Sequence, residues 1–346
     1  MVPTFAITPE KEASIPHYFY RQWTYSPPEV TGVSLAGKTA IVTGSNTGLG
    51  LECSRQFLDL GLSKLILAVR SETKGAAAAA ELAAGRNLPA GAIEVWPMDL
   101  ADYDSIVAFA ARANASLDRL DILVANAGLV TAVHEPNPTT GHDQVIQVNY
   151  LSTALSVLLL LPVIRAKRAN QPGPTRITFT SSDASSWTSF KERGAKPLLP
   201  AFDRPDADMA DHYFISKMFG QFFVAELAKH VPTSLAVINC ATPGMCYDSE
   251  LDRASRGTVL GAVIGFMKRR VGYTSAVGAR LMTDAAVNHG EETHGQYLGL
   301  NEKRVKPMVP IFYTEEGKEI VQRLWDETLE ELSFANVKQI IEDIDK

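Results

Sequence analysis

Residues 43–50, Thr-Gly-Ser-Asn-Thr-Gly-Leu-Gly, decide the fold of this chain of 346 residues. They follow a short apolar run at residues 38–43 and precede residues 49–60, whose apolar side chains recur at helical spacing. Glycines at such a turn let the backbone bend tightly and approach a bound group, and the amino end of a helix attracts negative charge. The stretch therefore predicts a buried strand, a phosphate-binding turn and a helix, although close packing alone could also explain the glycines.

The same alternation of short apolar runs and helical segments continues along the chain. Further strands are predicted at residues 64–69, 92–97, 120–125, 176–180, 234–239 and 295–300. Helices are predicted at residues 71–84, 103–116, 143–164, 213–229, 248–270, 276–288 and 315–332. Strands that alternate with helices form a parallel sheet through right-handed crossovers. We therefore predict a single α/β domain with a doubly wound, Rossmann-type parallel sheet and helices on both faces.

The predicted domain extends from residue 37 to residue 335. Residues 1–36 contain five prolines among several aromatic residues, which predicts a surface extension with little regular structure. We interpret residues 183–210 as a polar insertion, residues 246–271 as a lid and residues 336–346 as a charged tail.

Net charge, cysteine spacing and apolar runs bear on the partners and the location expected of this protein. The formal net charge is −6 without a long basic run, so we expect neither nucleic acid nor an anionic membrane surface as a partner. The three cysteines lack metal-ligand spacing and no secretory signal is evident, which predicts a cytoplasmic protein without a metal. The apolar residues 150–164 are too few and too interrupted for a membrane span and predict a core or interface helix.

Polar residues follow several predicted strands. Arg70, Asp99, Asn126, Ser182 and Pro243 each lie just after a strand. Because parallel strands end at one edge of the sheet, these residues and the glycine-rich turn are expected to meet there, where such sheets bind ligands.

Tyr213 and Lys217 are spaced so that a helix would place them on one face, one turn apart. A nearby cation lowers the pKa of a phenol toward the range useful for acid and base catalysis. A Tyr-x-x-x-Lys match is common by chance, so its weight depends on the rest of the site.

Together these motifs resemble the short-chain dehydrogenase/reductase family from about residue 37 to residue 300. The resemblance rests on residues 43–50, Asn126-Ala127-Gly128, Asn149, Ser182, Tyr213-x-x-x-Lys217 and Pro243-Gly244, in that order. His294-Gly295-x-Tyr297 and residues 317–325 are similar to larger fungal and retinol-dehydrogenase-like members. Oligomerisation is common in the family through helices that correspond to residues 143–164 and 213–229, which implies a possible homodimer.

The resemblance implies a catalytic role for four residues. Tyr213 would be the general acid or base, and Lys217 would lower its pKa and hydrogen-bond the nicotinamide ribose. Ser182, with Ser181 as the alternative, would orient the carbonyl, and Asn149 would hold a water that relays protons to Lys217. From the residues alone, Asn149 could instead cap a helix and Ser182 could end a strand in a turn.

The resemblance also implies a dinucleotide cofactor. The family's acidic residue after the second strand falls on Val69, followed by Arg70 and Ser71, which suit the 2′-phosphate of NADP(H). Arg70 could also be a solvated surface residue. Asp99 would contact the adenine amino group. The cofactor-binding residues so implied are Gly44, Ser45, Asn46, Thr47, Gly48, Leu49, Gly50, Arg70, Ser71, Asp99, Leu100, Asn126, Ala127, Gly128, Tyr213, Lys217, Pro243 and Gly244.

The chain departs from the family pattern at two places. Ala125 stands where the family usually has asparagine, and Met245 and Cys246 follow Pro243-Gly244, where the family often offers a threonine to the nicotinamide amide. Ser249 or backbone groups could replace that threonine. Predicted apolar walls of the substrate pocket are Phe202, Trp187, Tyr247, Phe266 and Met267, which would favour a bulky, lipophilic ketone or alcohol.

The sequence thus predicts an NADPH-dependent reductase of ketones or aldehydes, acting on a small-molecule substrate, with fungal secondary metabolism as the expected setting. One alternative is a catalytically silent NADP(H)-binding sensor or scaffold, which would have no need of Tyr213. Another is an epimerase or dehydratase of the extended branch, but that branch prefers Gly-x-x-Gly-x-x-Gly, which is absent here.

Overall fold

The computed structural model describes residues 5–205, 208–249, 265, 268–300 and 305–344. Its strands are β1 Thr39–Thr43, β2 Lys64–Val69, β3 Ile93–Pro97, β4 Ile122–Ala125, β5 Thr175–Thr180, β6 Ala236–Ala241, β7 Gln296–Leu298 and β8 Val305–Lys306. They form one eight-stranded sheet in the order β3-β2-β1-β4-β5-β6-β7-β8. The pairs are parallel except β7 with β8, which is antiparallel. The predicted doubly wound sheet is therefore confirmed.

Helices cover both faces of this sheet. They are α1 Pro9–Ala13, α2 Ile15–Thr24, α3 Gly48–Asp59, α4 Glu72–Ala83, α5 Tyr103–Ser116, α6 Gln144–Ile146, α7 Ser152–Lys167, α8 Met209–His230, α9 Ser275–Val287, α10 Glu315–Glu331 and α11 Val337–Ile344. One apolar core packs α3, α4 and α9 on the sheet, and the other packs α5, α7, α8, α10 and α11. All five residues of β1 are buried. They are small or apolar, so they can pack against the helices on both faces of the sheet.

Two elements differ from the predicted pattern inside the domain. The helix predicted at residues 143–164 contains a π turn, Gln147–Leu151, between α6 and α7. The antiparallel strand β8 was not predicted, since its two residues are too few to carry a periodic signal.

The prediction that the N-terminal extension has little regular structure is wrong. It forms α1 and α2. Pro9 lies in the first turn of α1, where Thr8 caps the helix by accepting a hydrogen bond from the Lys11 N–H at 3.3 Å, and Pro16 lies in the first turn of α2. Proline is favoured in the first turn of a helix, because the N–H group that it lacks would have no partner within the helix at that position.

The predicted tail, residues 336–346, also contains regular structure. Helix α11 buries Val337, Ile341 and Ile344 on one face and packs against α7. This segment therefore completes the apolar core beside α7.

The insertion and the lid are described only in part. The described part of the insertion forms 3-10 helices at Asp183–Trp187, Lys191–Gly194 and Leu199–Phe202. Of the predicted lid, residues 250–264, 266 and 267 lie outside the described residues, and Phe266 and Met267 with them. Phe202 is fully buried against His212 and Phe219, so its prediction as a wall of the substrate pocket is wrong.

The helical stretch Gln144–Asn170 is long and apolar enough to cross a membrane, but 89% of its apolar window is buried inside the chain. Its composition is therefore explained by core packing, as expected for residues 150–164.

His142 links the loop before α6 to two distant segments. Its Nδ1 lies 3.0 Å from the Asp203 carboxylate and its Nε2 lies 3.2 Å from that of Glu331. Burial alone lowers the pKa of His142, but hydrogen bonds to these two carboxylates outweigh it and raise the pKa from 6.5 to about 9. The folded state therefore holds this proton more tightly than the unfolded chain.

We expect this histidine to make stability fall in alkali. Its contribution is complete below pH 6.5 and is lost as the pH rises to about 9. Urea unfolding near pH 6 and near pH 9.5 should give a free energy of unfolding that falls by roughly 1–3 kcal/mol more in the wild type than in His142→Gln. Equal pH dependence in both proteins would contradict this role.

Candidate active site

The glycine-rich turn joins β1 to α3 at the carboxyl edge of the sheet, as predicted. Gly44 and Gly48 have φ values of 62° and 55°, which favour glycine. A Cβ on Gly44 would lie 2.9 Å from the Ala127 Cα, and one on Gly50 would lie 2.5 Å from the Gly44 carbonyl oxygen. The glycines thus serve the turn itself and its close contact with the end of β4.

The side chain of Asn126 holds this turn in place. Its Nδ2 donates to the Thr43 carbonyl at 2.9 Å, and the Thr43 hydroxyl accepts the N–H groups of Asn126 and Ala127, both at 2.9 Å. Asn126 therefore connects the ends of β1 and β4. Its side chain fixes the backbone of the glycine-rich turn.

Ser45 supports the interpretation of the turn as a phosphate site. Its side chain is fully buried, and its Oγ has no hydrogen-bond partner among the described residues. A buried hydroxyl normally has a partner, so an unpaired one in a glycine turn at a helix amino end fits an anionic ligand. The turn thus suits the diphosphate of a dinucleotide.

The adenosine end predicted from sequence lies around β2 and β3. Arg70 is exposed directly after β2, and the Ser71 hydroxyl caps α4 by accepting the Lys74 N–H at 3.4 Å. The Asp99 carboxylate accepts the Ala101 N–H at 2.9 Å, and Leu100 is buried. Arg70 therefore has the exposure that a phosphate-binding residue requires.

Tyr213 and Lys217 lie on α8, one turn apart. The Lys217 Nζ lies 5.9 Å from the centre of the Tyr213 ring and donates a hydrogen bond to the Thr180 carbonyl at 2.9 Å. Lys217 is 8% exposed, and this burial lowers its pKa from 10.5 to about 8. The pair is thus held at the end of β5 with the ammonium still mostly protonated at neutral pH.

The two serines after β5 have different surroundings. Ser181 is 5% exposed, and its hydroxyl accepts a hydrogen bond from Gln221 at 3.1 Å. Ser182 is half-buried, and its hydroxyl caps the 3-10 helix that follows by accepting the Ala184 N–H at 3.2 Å. Ser182 therefore ends the strand in a turn and remains the more accessible hydroxyl.

Asn149 lies in the π turn and does not cap a helix. Its Oδ1 accepts the Leu129 N–H at 2.8 Å, and its Nδ2 donates to the Leu129 carbonyl at 2.9 Å and to the Ser216 hydroxyl at 3.1 Å. It thereby joins the loop after β4 to the residue next to Lys217. Single π turns are frequent at functional sites, and this one shifts the helix so that Asn149 reaches both neighbours.

A small cavity lies between these elements, with a volume of about 10 Å³. Its lining is mixed and includes the polar residues Asn149, Thr180, Ser181 and Lys217, so it offers hydrogen-bond partners to about one water molecule. Gly128 borders the same place, because a Cβ there would lie 3.2 Å from the Asn149 Oδ1 and 3.5 Å from the Lys217 Nζ.

The N-terminal extension contributes to this site, which was not predicted from the sequence. The buried Gln22 side chain lies against Gly244, whose φ is 71°; a Cβ on Gly244 would lie 2.8 Å from the Gln22 Oε1. The signal available in the sequence was the pairing of Thr8 with Pro9, a helix cap followed by a first-turn proline.

A buried group of charges next to Ser182 was also missed. Asp183 accepts hydrogen bonds from Lys306 and, at 3.1 Å, from the Tyr297 hydroxyl, while Lys306 also lies 2.9 Å from the Glu12 carboxylate. Arg21 pairs with Glu12. We call Glu12, Arg21, Asp183 and Lys306 the buried charge cluster. Burial raises the pKa of Asp183, but the charges of Lys306 and Arg21 outweigh it and hold this pKa below 3.8.

Within the described ranges, no three His, Cys, Asp or Glu side chains gather in a way that could hold a metal ion.

Comparison with known proteins gives close relatives in fungi. A family model described as short chain dehydrogenase matches residues 38–192. The short-chain dehydrogenase fogG of Aspergillus ruber is 44% identical and the alignment covers 100% of both chains. The short chain dehydrogenase/reductase mfmJ of Annulohypoxylon moriforme is 39% identical over 99% of this chain and 98% of the relative.

Among solved structures, the Pseudomonas aeruginosa RhlG/NADP active-site complex is 24% identical, with a TM-score of 0.59. The match covers 78% of this chain and 96% of that chain. At this identity the likeness bears on the fold alone.

Proposed function

Because this chain belongs to the short-chain dehydrogenase/reductase family and is therefore an oxidoreductase, we propose that it transfers a hydride between NADP(H) and the carbonyl or secondary alcohol of a bulky, lipophilic substrate. The observation that carries the proposal is the buried Lys217, held against Thr180 and one helical turn from Tyr213 at the edge that also bears the glycine-rich turn. A phenol beside a fixed ammonium is suited to exchange a proton with an alkoxide.

The bound dinucleotide would supply or accept the hydride. Residues 44–50 would hold its phosphates, Arg70 and Ser71 would hold the 2′-phosphate, and Tyr213 would protonate the carbonyl oxygen. The Ser182 hydroxyl would orient that oxygen. A water in the cavity that Asn149 and Lys217 both line would pass a proton to Lys217 and so return it to Tyr213.

Aromatic rings beside Tyr213 support the proposed substrate class. The ring centre of Trp187 lies 4.9 Å from that of Tyr18 and 6.3 Å from that of Phe214, and Phe214 lies 6.1 Å from Tyr213. Trp187, Phe214 and Tyr213 are each half-buried, so parts of their faces remain accessible. Tyr247 is 38% exposed and lies three residues after Gly244. These rings favour a large apolar group next to the carbonyl.

The test is turnover of a panel of bulky ketones and aldehydes, followed by loss of NADPH or NADH absorbance, in the wild type and in Arg70→Ala. We expect turnover with NADPH, and a rise of about ten-fold or more in its KM in the variant, because a guanidinium that pairs with a phosphate contributes about 1.5–3 kcal/mol. The KM for NADH, which lacks the 2′-phosphate, should change little.

Lys229→Ala is the matched control, since it removes an exposed positive charge from the far end of α8. An unchanged ratio of NADPH to NADH use in Arg70→Ala would place the phosphate site elsewhere. A wild type that turns over no carbonyl with either cofactor would favour the alternative of a silent sensor or scaffold.

The cellular setting is part of the same proposal. The relatives reported above come from fungi, which supports a role in fungal secondary metabolism. We propose a cytoplasmic location and a homodimer as working hypotheses, to be tested by fractionation and by light scattering.

A further inference from the structure

The segment that follows β6, residues 243–246, is held by a side chain of the N-terminal extension. Gln22 is 2% exposed, and its Oε1 accepts the Met245 N–H at 2.9 Å. Its Nε2 donates to the Met245 carbonyl at 3.4 Å and to the Val271 carbonyl at 3.2 Å. The whole amide of Gln22 is thus used to fix backbone that lies more than 200 residues away in the sequence.

Topology places this segment beside the reacting end of a dinucleotide. The strands run β1, β4, β5, β6 across the sheet, with the glycine-rich turn after β1 and Lys217 tied to the end of β5. A cofactor whose phosphates lie on that turn and whose ring reaches Tyr213 therefore ends near β5 and β6. A Cβ on Gly278 would lie 3.0 Å from the Pro243 carbonyl oxygen and 3.1 Å from the Leu49 Cδ2, so the segment and the start of α3 both approach this glycine of α9.

The side chains of the segment offer no hydroxyl group. Met245 and Cys246 follow Gly244, so polar contacts from residues 243–246 to a ligand fall to their backbone groups. Of these groups, the N–H and C=O of Met245 are already paired with Gln22 and Tyr273 and serve to fix the others. Their position depends on Gln22 from one side and on Tyr273, whose N–H donates to the Met245 carbonyl at 2.8 Å, from the other. Loss of Gln22 would therefore make residues 243–246 less rigid. The hydrogen bond from Tyr273 would still hold this segment near its present position.

We propose that Gln22 is a positioning residue for the nicotinamide end of the cofactor. It sets the backbone of residues 244–246, against which that end of the dinucleotide rests. This inference rests on the proposed function. It assigns part of the active site to the N-terminal extension, which lies outside the residues that the family model matches.

The test compares two nucleotides that share only their adenosine end. NADPH has a nicotinamide, and adenosine 2′,5′-bisphosphate does not. In Gln22→Leu, which removes the three hydrogen bonds and keeps the volume, the affinity for NADPH measured by calorimetry should fall about ten-fold. The affinity for the bisphosphate should stay at the wild-type value.

Gln171→Leu is the matched control. Gln171 is 6% exposed, accepts the Leu120 N–H at 3.2 Å and donates to the Thr175 hydroxyl at 3.2 Å, at the amino ends of β4 and β5. Its loss should lower the melting temperature without separating the two affinities. If Gln22→Leu does not fold, Gln22→Asn, shorter by one methylene, should show the same separation to a smaller extent.

Two results would overturn the assignment. Equal affinities of wild type and Gln22→Leu for NADPH would remove the positioning role, and an equal loss for both nucleotides would make the role a general structural one. If the wild type binds NADH but not NADPH, the affinities of wild type and Gln22→Leu are compared for NADH and ADP-ribose instead. A wild type that binds no dinucleotide instead refutes the proposed function, so the two failures are distinct.

Discussion

Tyr213→Phe is expected to lower kcat for carbonyl reduction by about 10²–10⁴-fold, the range in which a positioned general acid contributes. The variant lacks only the hydroxyl, so the aromatic contact with Phe214 and the packing near the Lys217 ammonium should persist. The proton for the developing alkoxide would then have to come from water or from Ser182. The measurement is steady-state kinetics with NADPH and the best ketone of the panel, together with calorimetric binding of NADPH.

Tyr20→Phe provides the control for this experiment. Tyr20 is 64% exposed on α2, so the loss of its hydroxyl should leave both kcat and NADPH binding unchanged. Loss of catalysis in Tyr213→Phe with intact NADPH binding also separates an enzyme from a silent sensor, which would bind NADPH in both proteins but reduce no carbonyl in either. Wild-type kcat in Tyr213→Phe would remove this residue from the chemistry.

The part of the site that could be predicted from sequence is the part built from local signals. The glycine-rich turn, Tyr213 and Lys217 each carry their pattern within eight residues, and the strand–helix alternation places them at one edge. The resemblance favoured Ser182 over Ser181. The structure adds a physical reason, because Gln221 already donates a hydrogen bond to the Ser181 hydroxyl. Local pattern and sheet topology were sufficient to place the turn, Tyr213 and Lys217 at one edge of the sheet, whereas the choice between the two serines needed the resemblance.

The remainder depends on contacts that no local pattern encodes. Gln22 meets Met245 across 223 residues, and Lys306 meets Asp183 across 123. The π turn at Asn149 was hidden because an apolar helix with one extra residue in a turn keeps nearly the same periodicity. The prolines of the extension were interpreted as breakers, whereas in the first turn of a helix they are compatible with it.

The largest expected loss of stability comes from Lys306→Met. Lys306 is 3% exposed and contacts the carboxylates of both Asp183 and Glu12. Without its ammonium, Arg21 is the one cation among the described residues that lies against both buried carboxylates. Removing one partner from a buried ion pair costs about 3–5 kcal/mol. Urea unfolding at neutral pH should show this decrease in the free energy of unfolding.

The matched control is Lys338→Met, which breaks an exposed pair with Glu330 and should change the free energy of unfolding by no more than about 1 kcal/mol. Adding Asp183→Asn to Lys306→Met should restore part of the loss, since the second change removes the uncompensated charge. A loss in Lys306→Met as small as that in the control would mean that the cluster is solvated in solution.

The pH dependence of this loss identifies the charge responsible. The pKa of Asp183 lies below 3.8 in the folded protein, so its contribution is present above that pH and is lost as the pH falls through the folded pKa. We therefore expect the difference between wild type and Lys306→Met to shrink in acid. Because Asp183 follows Ser182 directly and Glu12 comes from α1, the same variant should also weaken the hold of the N-terminal extension on the active site. If Lys306→Met is less stable but keeps the wild-type KM for NADPH and for ketone, the buried charge cluster contributes to stability and not to the active site.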